Sequence, residues 1–332
     1  SLHDALPILV LFLMILVMYL VSFCNALYLL WEVIFLTVQT AFDKFIRCKR
    51  LCNLSHETVK DYDNIVSIFI RYIGSDTECA SLSLDVVEDY ILGLIDKGLS
   101  PATVATYVRN VRIFLRWVYK EHGLSFDPNH IKVPKTPKKI VHILSSADIQ
   151  YLFDLAKCAV PWLTARNKSI MALMLDSGLR QNEVCTLDKK GLDFDRSVLQ
   201  VTGKGSKERL VPLGYISKML LQDYLSQCPY KDVDYVFCDR MGNQISRNAI
   251  KVFMNRLKHK VPFDISSHKL RHNFATNFCI DNYRKTGNTG VYDLSILMGH
   301  ESIETTKKYE HFAHEIIAVE NSNSHLDNIY LK

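Results

Sequence analysis

Several features that mark other classes of protein are missing from this 332-residue sequence. The nine Cys residues are odd in number and scattered, so they do not form a disulfide framework. Cys48 and Cys52 are the one close pair, and no second Cys or His pair at ligand spacing accompanies them, which argues against a zinc site. No internal repeat and no low-complexity tract is present. We therefore expect free thiols in a reducing cytoplasm and no bound metal.

Basic residues are missing from the beginning of the sequence. Residues 1–43 contain no Lys or Arg, and residues 5–31 carry no charge at all. A cleavable signal peptide does not fit, because no basic residue precedes the apolar run. Two interpretations of residues 1–40 stay open. One is a membrane tether, since 27 helical residues span ~40 Å against a bilayer core of ~30 Å; the other is a spurious extension, since residues 1–8 are similar to translated sequencing-adapter sequence.

The remainder of the chain carries the positive charge. Forty Lys and Arg stand against 35 acidic residues, three of which fall within the first 43 positions, so residues 44–332 have a net charge of +8. This bias favours a polyanionic partner such as nucleic acid, although soluble enzymes without such a partner reach similar values.

A helix with two distinct faces is predicted to begin at Ser100. Ser100 is a suitable N-cap and Pro101 suits the first helical position. Apolar residues recur at three- and four-residue steps from Val104, and a row of cations without an intervening acid lies on another face. The row consists of Arg109, Arg112, Arg116 and Lys120. A solvated charged face is one explanation of this row, and contact with phosphates is the other.

Residues 127–144 predict a basic, proline-rich linker between two domains. Its composition shows no apolar periodicity. Lys135 and Lys138 within it would suit a segment that lies along a phosphate backbone.

The second domain is predicted to begin at Ser145, which forms a capping-box pattern with Asp148. Residues 197–213 contain two short β-prone runs around a Gly/Lys turn and predict a β-hairpin. A helical pattern then resumes and continues to about residue 320.

Two common catalytic motifs are absent. Residues 203–207 are rich in Gly and Lys, but the order G-x-x-x-x-G-K-[ST] of a phosphate-binding loop is missing. His268 and His272 are four residues apart, yet no Glu follows His268 as in H-E-x-x-H. These absences exclude an ATPase and a zinc metalloprotease.

Five short motifs nevertheless follow one another in order. They are GLRQNE at 178–183, GKGSKER at 203–209, HKLRH at 268–272, LMGH at 297–300, and Tyr309 nine residues beyond the last His. The series resembles the tyrosine recombinase (phage integrase) family over about residues 42–320. The resemblance does not extend to residues 1–40.

The resemblance implies a mainly α fold with two working domains. A helical, SAM-like core-binding domain would occupy residues 41–126. A mostly α catalytic domain with a small antiparallel β-sheet would occupy residues 145–320. Residues 321–332 would then be a C-terminal tail. The segment from His311 to Lys332 would be an arm that packs on a neighbouring protomer.

The resemblance also implies six catalytic residues and their roles. They are Arg180, Lys204, His268, Arg271, His300 and Tyr309. The guanidinium groups match the geometry of a phosphate whose oxygens gain negative charge during attack. Tyr309 would be the nucleophile and His300 would orient the phosphate. His268 would donate to the phosphate or accept the proton of the nucleophile.

Lysines of the hairpin are candidates for the general acid. Lys204 is similar to the family lysine that protonates the departing 5′ oxygen, and Lys207 is its rival. Lys207 is also expected to contact DNA, and Arg209 is expected to contact either the DNA backbone or an acidic neighbour. Glu183 is expected to hold Arg180 in place. His272 is interpreted as an ordinary surface or supporting histidine.

One geometric condition follows from the spacing of His300 and Tyr309. Nine residues of a continuous helix rotate by ~900°, which would leave these side chains on opposite faces. A helix break must therefore separate them, and Thr305 and Thr306 are candidate caps for the second helix.

The predicted function is site-specific DNA cleavage and rejoining through a 3′-phosphotyrosine, for integration, excision or resolution. The resemblance implies double-stranded DNA as partner, a homotetramer on two DNA sites, a role for accessory DNA-bending proteins, a cytoplasmic location, no membrane partner and no cofactor. The alternatives are relaxation of DNA by type IB topoisomerase chemistry, a DNA-binding protein of the same fold that does not cut, and a tethered protein whose basic domain binds anionic lipid.

Overall fold

The computed structural model describes residues 36–136, 143–203 and 207–322. The described chain is mainly helical with one small antiparallel sheet, which confirms the predicted fold class. The described residues fall into two compact units, one that ends at residue 136 and one that begins at residue 143. No helix in the described ranges has the length and hydropathy needed to cross a bilayer. Most of the predicted leader, residues 1–35, lies outside the described residues.

Each of the four α-helices that the structure describes in the first unit begins at a hydroxyl side chain. The capping residues, each accepting a hydrogen bond from the main-chain N–H three positions on, are Thr37, Ser55, Ser83 and Ser100. These bonds satisfy donors that a helix N-terminus otherwise leaves unpaired. The helices are α1 (Val38–Leu51), α2 (His56–Ile73), α3 (Leu84–Asp96) and α4 (Pro101–His122).

Helix α4 has the two faces that the sequence predicts. The apolar stripe that starts at Val104 is buried in the core of the unit, where the ring of Phe114 meets that of Phe45 at 5.5 Å. The basic row lies on the other face, and its exposed members are Arg109, Arg116 and Lys120. The half-buried Arg112 donates to the main-chain oxygen of Ile131 at 3.3 Å.

The beginning of the predicted linker is not extended. Pro128–His130 forms a turn of 3-10 helix, and Ile131 is buried in the core of the first unit. Asp127 caps this turn by accepting from the N–H of Asn129. The Pro and Lys content of this segment predicts a linker. The buried side chain of Ile131 instead holds its first residues against the first unit.

Eight α-helices belong to the described part of the second unit. They are α5 (Ser146–Leu155), α6 (Pro161–Asp176), α7 (Gln181–Cys185), α8 (Tyr215–Gln227), α9 (Arg247–Lys258), α10 (Ser267–Thr286), α11 (Val291–Met298) and α12 (Glu304–Glu320). The predicted capping box is confirmed, with Ser145 and Asp148 bonded reciprocally. Helix α6 begins at Pro161, because proline fits the first turn of a helix.

The predicted hairpin is confirmed as β2 (Val198–Thr202) and β3 (Glu208–Pro212), which pair antiparallel. Leu199 pairs with Val211 and both are buried, whereas the alternate residues face outward. A third strand, β1 (Leu192–Asp193), pairs with β2 and was not predicted, since two residues carry no readable periodicity. The tip of the hairpin, residues 204–206, lies outside the described residues.

Candidate active site

Arg180 is placed by a tight turn between α6 and α7. Gly178 has φ +62°, and a side chain there would collide with the ring of Phe274. The chain then turns so that the N–H of Arg180 donates to Glu183 Oε2 at 2.8 Å. The Arg180 guanidinium donates to Glu183 Oε1 at 2.8 Å and to the carbonyl of Gly299 at 3.0 Å. Arg180 is thus held at both ends.

Glu183 is the buried anion beneath the cations of the site. Arg209 donates to both carboxylate oxygens, at 2.7 and 2.9 Å, and Nη1 of Arg271 lies 3.7 Å from Oε2. Burial alone raises the pKa of this carboxyl, but the hydrogen bonds and charge of Arg209 and Arg180 outweigh burial and lower it to about 2. The expected role of Glu183 in holding Arg180 is confirmed.

Arg271 projects from α10 and is 4% exposed. Its guanidinium donates to the carbonyl of Gly178 and, at 2.6 Å, to the carbonyl of Met298. Burial, followed by the repulsion of Arg180, lowers the pKa of Arg271 to about 9, so it remains protonated at neutral pH. The guanidinium groups of Arg180 and Arg271 thus both lie next to the Glu183 carboxylate.

The predicted break between His300 and Tyr309 is confirmed. Helix α11 ends at Met298, Gly299 adopts a left-handed conformation, and α12 begins at Glu304.

The prediction that Thr305 or Thr306 caps α12 is wrong. The N-cap is Ile303, which makes no side-chain capping bond. The buried Thr306 hydroxyl instead lies 2.8 Å from Nδ1 of His300. Burial, followed by the charges of Arg271 and Arg180, lowers the pKa of His300 to about 4, so its imidazole is neutral at pH 7.

Tyr309 is 2% exposed and belongs to a buried cluster between α10, α11 and α12. Its hydroxyl lies 2.6 Å from Nδ1 of His272, and its ring is nearly parallel to that of His300 with centroids 6.4 Å apart. Burial raises the pKa of Tyr309 to about 12, against the opposing effect of Arg271 and Arg180. The phenol therefore keeps its proton at neutral pH.

An open cleft of about 650 Å³ lies beside this cluster. The cationic and imidazole groups that line it are Arg180, Lys207, Arg209 and His300. A cleft of this composition can hold a phosphate diester. The buried guanidinium of Arg271, which is not part of the cleft lining, adds a further positive charge to the site.

Two sequence profiles match this chain. Residues 142–315 match the phage integrase family, and residues 42–123 match the phage integrase N-terminal SAM-like domain. The chain belongs to the phage integrase family.

Relatives and solved structures agree with this membership. This phage integrase family member is 28% identical to the tyrosine recombinase XerD of Oceanobacillus iheyensis over 282 residues, 81% of this chain and 92% of the relative. It is 26% identical to the tyrosine recombinase XerC of the same organism over 292 residues, 84% of this chain and 90% of the relative.

The fold is also similar to that of two solved integrases. One is the Tn1549 transposon integrase in complex with a circular intermediate DNA, with a TM-score of 0.68, 18% identity, and coverage of 82% of this chain and 94% of that chain. The other is a lambda integrase dimer bound to a COC′ core site, with a TM-score of 0.64, 16% identity, and coverage of 82% and 95%.

The structure brings together four of the six predicted catalytic residues of this family member. Arg180, Arg271, His300 and Tyr309 come together as described above. His268 is exposed and makes no side-chain hydrogen bond to any other described residue. Lys204 lies outside the described residues, so its role stays a prediction.

The residues predicted to contact DNA differ in their surroundings. Arg209 binds Glu183, so the structure shows the acidic-neighbour alternative. Lys207 is exposed, with its ammonium 3.9 Å from Glu301. In the first unit, Arg109, Arg112 and Lys135 line one groove. Lys138 lies outside the described residues.

His272 and Thr306 are the contacts that the sequence interpretation missed. The description of His272 as an ordinary surface or supporting histidine misses its direct contact with the Tyr309 hydroxyl. One signal was available: Thr306, Tyr309, Ala313 and Ile317 recur at steps of three, four and four, and all four are buried. This stripe predicts that Tyr309 packs against another helix.

Proposed function

We propose that this protein cleaves and rejoins DNA at specific sites through a 3′-phosphotyrosine formed on Tyr309. The observation that carries the proposal is the grouping of two guanidinium groups and a neutral imidazole around one tyrosine beside an open cleft. The tyrosine recombinase names of the matched relatives favour recombination over the topoisomerase alternative.

Charge stabilisation is the contribution of Arg180 and Arg271. The attacked phosphodiester gains negative charge on its nonbridging oxygens, and fixed cations stabilise that charge without reorganising. Glu183 and main-chain carbonyls hold both guanidinium groups before DNA binds. This preorganisation favours the transition state over the ground state.

His300 supplies a neutral donor to the phosphate. When Nδ1 accepts a hydrogen bond from the Thr306 hydroxyl, the ring proton lies on Nε2, where it can be donated to a phosphate oxygen. His268 is a second donor from α10. Lys204 protonates the departing 5′ oxygen, a step that an arginine cannot perform because it holds its proton too tightly.

Double-stranded DNA is the partner of this chemistry. We infer that the domain of residues 41–126 holds the duplex through the basic face of α4 and that the domain of residues 145–320 binds the cleaved phosphate. Four protomers on two DNA sites exchange one pair of strands at a time, with accessory DNA-bending proteins as further partners. No cofactor is needed, since the phosphotyrosine conserves the energy of the broken bond.

Trapping of a covalent adduct tests this proposal. A duplex is first selected by binding from a random-sequence library with the Tyr309→Phe variant. Copies of it then carry a nick that moves one position at a time, so that cleavage beside the nick releases a short fragment and prevents rejoining. We expect the wild-type protein to form a denaturant-resistant adduct on one or a few of these duplexes.

The Tyr309→Phe variant should form no adduct while binding the same duplex with unchanged affinity. An adduct that persists in this variant removes Tyr309 as the nucleophile. Wild-type binding without any adduct on the whole series supports the non-cutting alternative instead.

A further inference from the structure

The Tyr309 hydroxyl has a defined hydrogen-bond partner before DNA binds. His272 on α10 and Tyr309 on α12 face each other across two packed helices, with Nδ1 and Oη 2.6 Å apart and ring centroids 5.3 Å apart. Oη is the atom that attacks phosphorus in the proposed reaction. A ring nitrogen at this distance is within the range required of a general base.

His268 does not share this position. It lies one helical turn before His272 on α10 and is exposed, whereas His272 is half-buried. Within the described residues, His272 is the side chain to which the Tyr309 hydroxyl is hydrogen-bonded. The family resemblance gives the proton-accepting role to His268, whereas the hydrogen bond to the Tyr309 hydroxyl favours His272.

The surroundings of His272 keep its ring neutral. The charged and titratable groups that face it are Lys308 from α12 and His268, Lys269 and Arg271 from α10. Burial, with Lys308 as the next cause, lowers the pKa of His272 to about 4. At pH 7 the ring is therefore free of the extra proton and can accept one.

We propose that His272 is the general base that accepts the Tyr309 proton during DNA cleavage, an assignment that rests on the function proposed above. As Oη bonds to phosphorus, its O–H bond breaks and the proton passes to Nδ1 of His272. The bond from phosphorus to the 5′ oxygen breaks, and that oxygen takes a proton from the general acid. In rejoining, the 5′ hydroxyl attacks phosphorus and returns its proton to the general acid. The bond from phosphorus to Oη breaks, and the imidazolium returns its proton to Oη, so no proton is gained or lost over the cycle.

The initial rate of adduct formation on the nicked, library-selected duplex tests this assignment across pH 6 to 8. The wild-type rate should be nearly constant in this range, which lies above the range in which His272 titrates. In His272→Ala, attack must wait for spontaneous ionisation of a phenol with a high pKa. Its rate should be about 100-fold lower at pH 7 and rise about tenfold with each pH unit.

His272→Asn separates proton transfer from positioning. The Asn amide oxygen is as many bonds from the backbone as Nδ1 and can accept the hydrogen bond, but it cannot take the proton. This variant should keep the wild-type thermal midpoint and still show the steep pH dependence. The matched control is His268→Asn, which should lower the rate while keeping the flat profile.

Each outcome has a separate meaning. A flat profile in both His272 variants, whatever their rate, overturns the assignment, and a steep profile in His268→Asn transfers the role to His268. An adduct that forms in the wild type and disappears in Tyr309→Phe keeps the proposed function intact in either case. If the wild type forms no adduct, the proposed function fails and the assignment fails with it.

Discussion

Glu183 is the residue on which the cations of the site depend. Its buried carboxylate binds Arg180 and Arg209 directly and lies 3.7 Å from Arg271. Without this anion, three neighbouring cations would repel one another at short range. A buried carboxylate therefore sets the geometry of the three guanidinium groups.

The Glu183→Gln variant should lose both stability and activity. Removing one charge of a buried, hydrogen-bonded network costs roughly 3 kcal/mol of unfolding free energy. Displacement of the guanidinium groups should also slow adduct formation about 100-fold. Chemical denaturation and single-turnover adduct assays measure the two effects. Glu301→Gln is the matched control, because that carboxylate is exposed and lies 3.9 Å from the exposed Lys207. It should stay within about 0.5 kcal/mol of the wild type.

The same variant should also change the pH dependence of stability. Because the pKa of Glu183 is lowered from 4.5 to about 2, its contribution is complete above pH 4.5 and is lost as the pH falls toward 2. Denaturation at pH 5, 4 and 3 should show a smaller decline in Glu183→Gln than in the wild type. Parallel declines would contradict the ion-pair network.

At the scale of elements, the break between α11 and α12 decides whether the site can exist. Gly299 ends the first helix, and the bond between His300 and Thr306 ties the connecting segment to the second. This arrangement brings His300 beside Tyr309 although nine residues separate them.

Thr306→Val should loosen this connection with little change in side-chain volume. Nδ1 of the half-buried His300 would lose its partner, which costs roughly 1 kcal/mol, and the ring would lose its fixed orientation. We expect a fall of about tenfold in the rate of adduct formation at unchanged affinity for the duplex. The exposed Thr305→Val serves as control, and an equal effect of both substitutions would show that the hydrogen bond does not position His300.

Elements with a strong local signal were predictable from the sequence. The helix start at Ser100-Pro101, the Ser145 capping box and the β2–β3 hairpin are all stabilised by hydrogen bonds between residues close in sequence. A short stretch of sequence is therefore enough to predict each of them. Strand β1 is too short for a pattern, and the cap of α12 depends on tertiary contacts of Thr306.

The sequence predicts those site residues whose type and order in the motifs match the proposed reaction. The motifs identify Arg180, Arg271, His300 and Tyr309, because guanidinium, imidazole and phenol groups have few alternatives in this reaction. They do not indicate that His272 lies against Tyr309, because that contact depends on how α10 packs on α12. Pairing between distant helices is a property of the packed core rather than of any local segment.

At the scale of the whole molecule, the charge is distributed to suit a DNA partner. Residues 44–332 carry +8, and the exposed row on α4 contributes cations that no acid interrupts. Cations that neutralise phosphates release counterions, which makes binding weaken steeply with salt.

Replacing Arg109 and Arg116 together with Gln should reduce the salt dependence of binding. Each lost phosphate contact lowers the slope of log K against log salt by about 0.9, so the double variant should lose about 1.8. Fluorescence anisotropy of the selected duplex at several salt concentrations measures the slope. Lys97→Gln, an exposed lysine that follows α3, is the control, and a double variant that retains the wild-type slope would exclude this face of α4 from the interface.

Covalent attachment of DNA to Tyr309 is the most direct test of the account as a whole. The adduct formed on a nicked duplex is digested with nuclease and trypsin, and the residual nucleotide is located by mass spectrometry. Cleavage after Lys308 gives a peptide of residues 309–332, which also contains Tyr330 as an internal control. The account predicts the nucleotide on Tyr309; its attachment to Tyr330, or to any residue of another peptide, would contradict it.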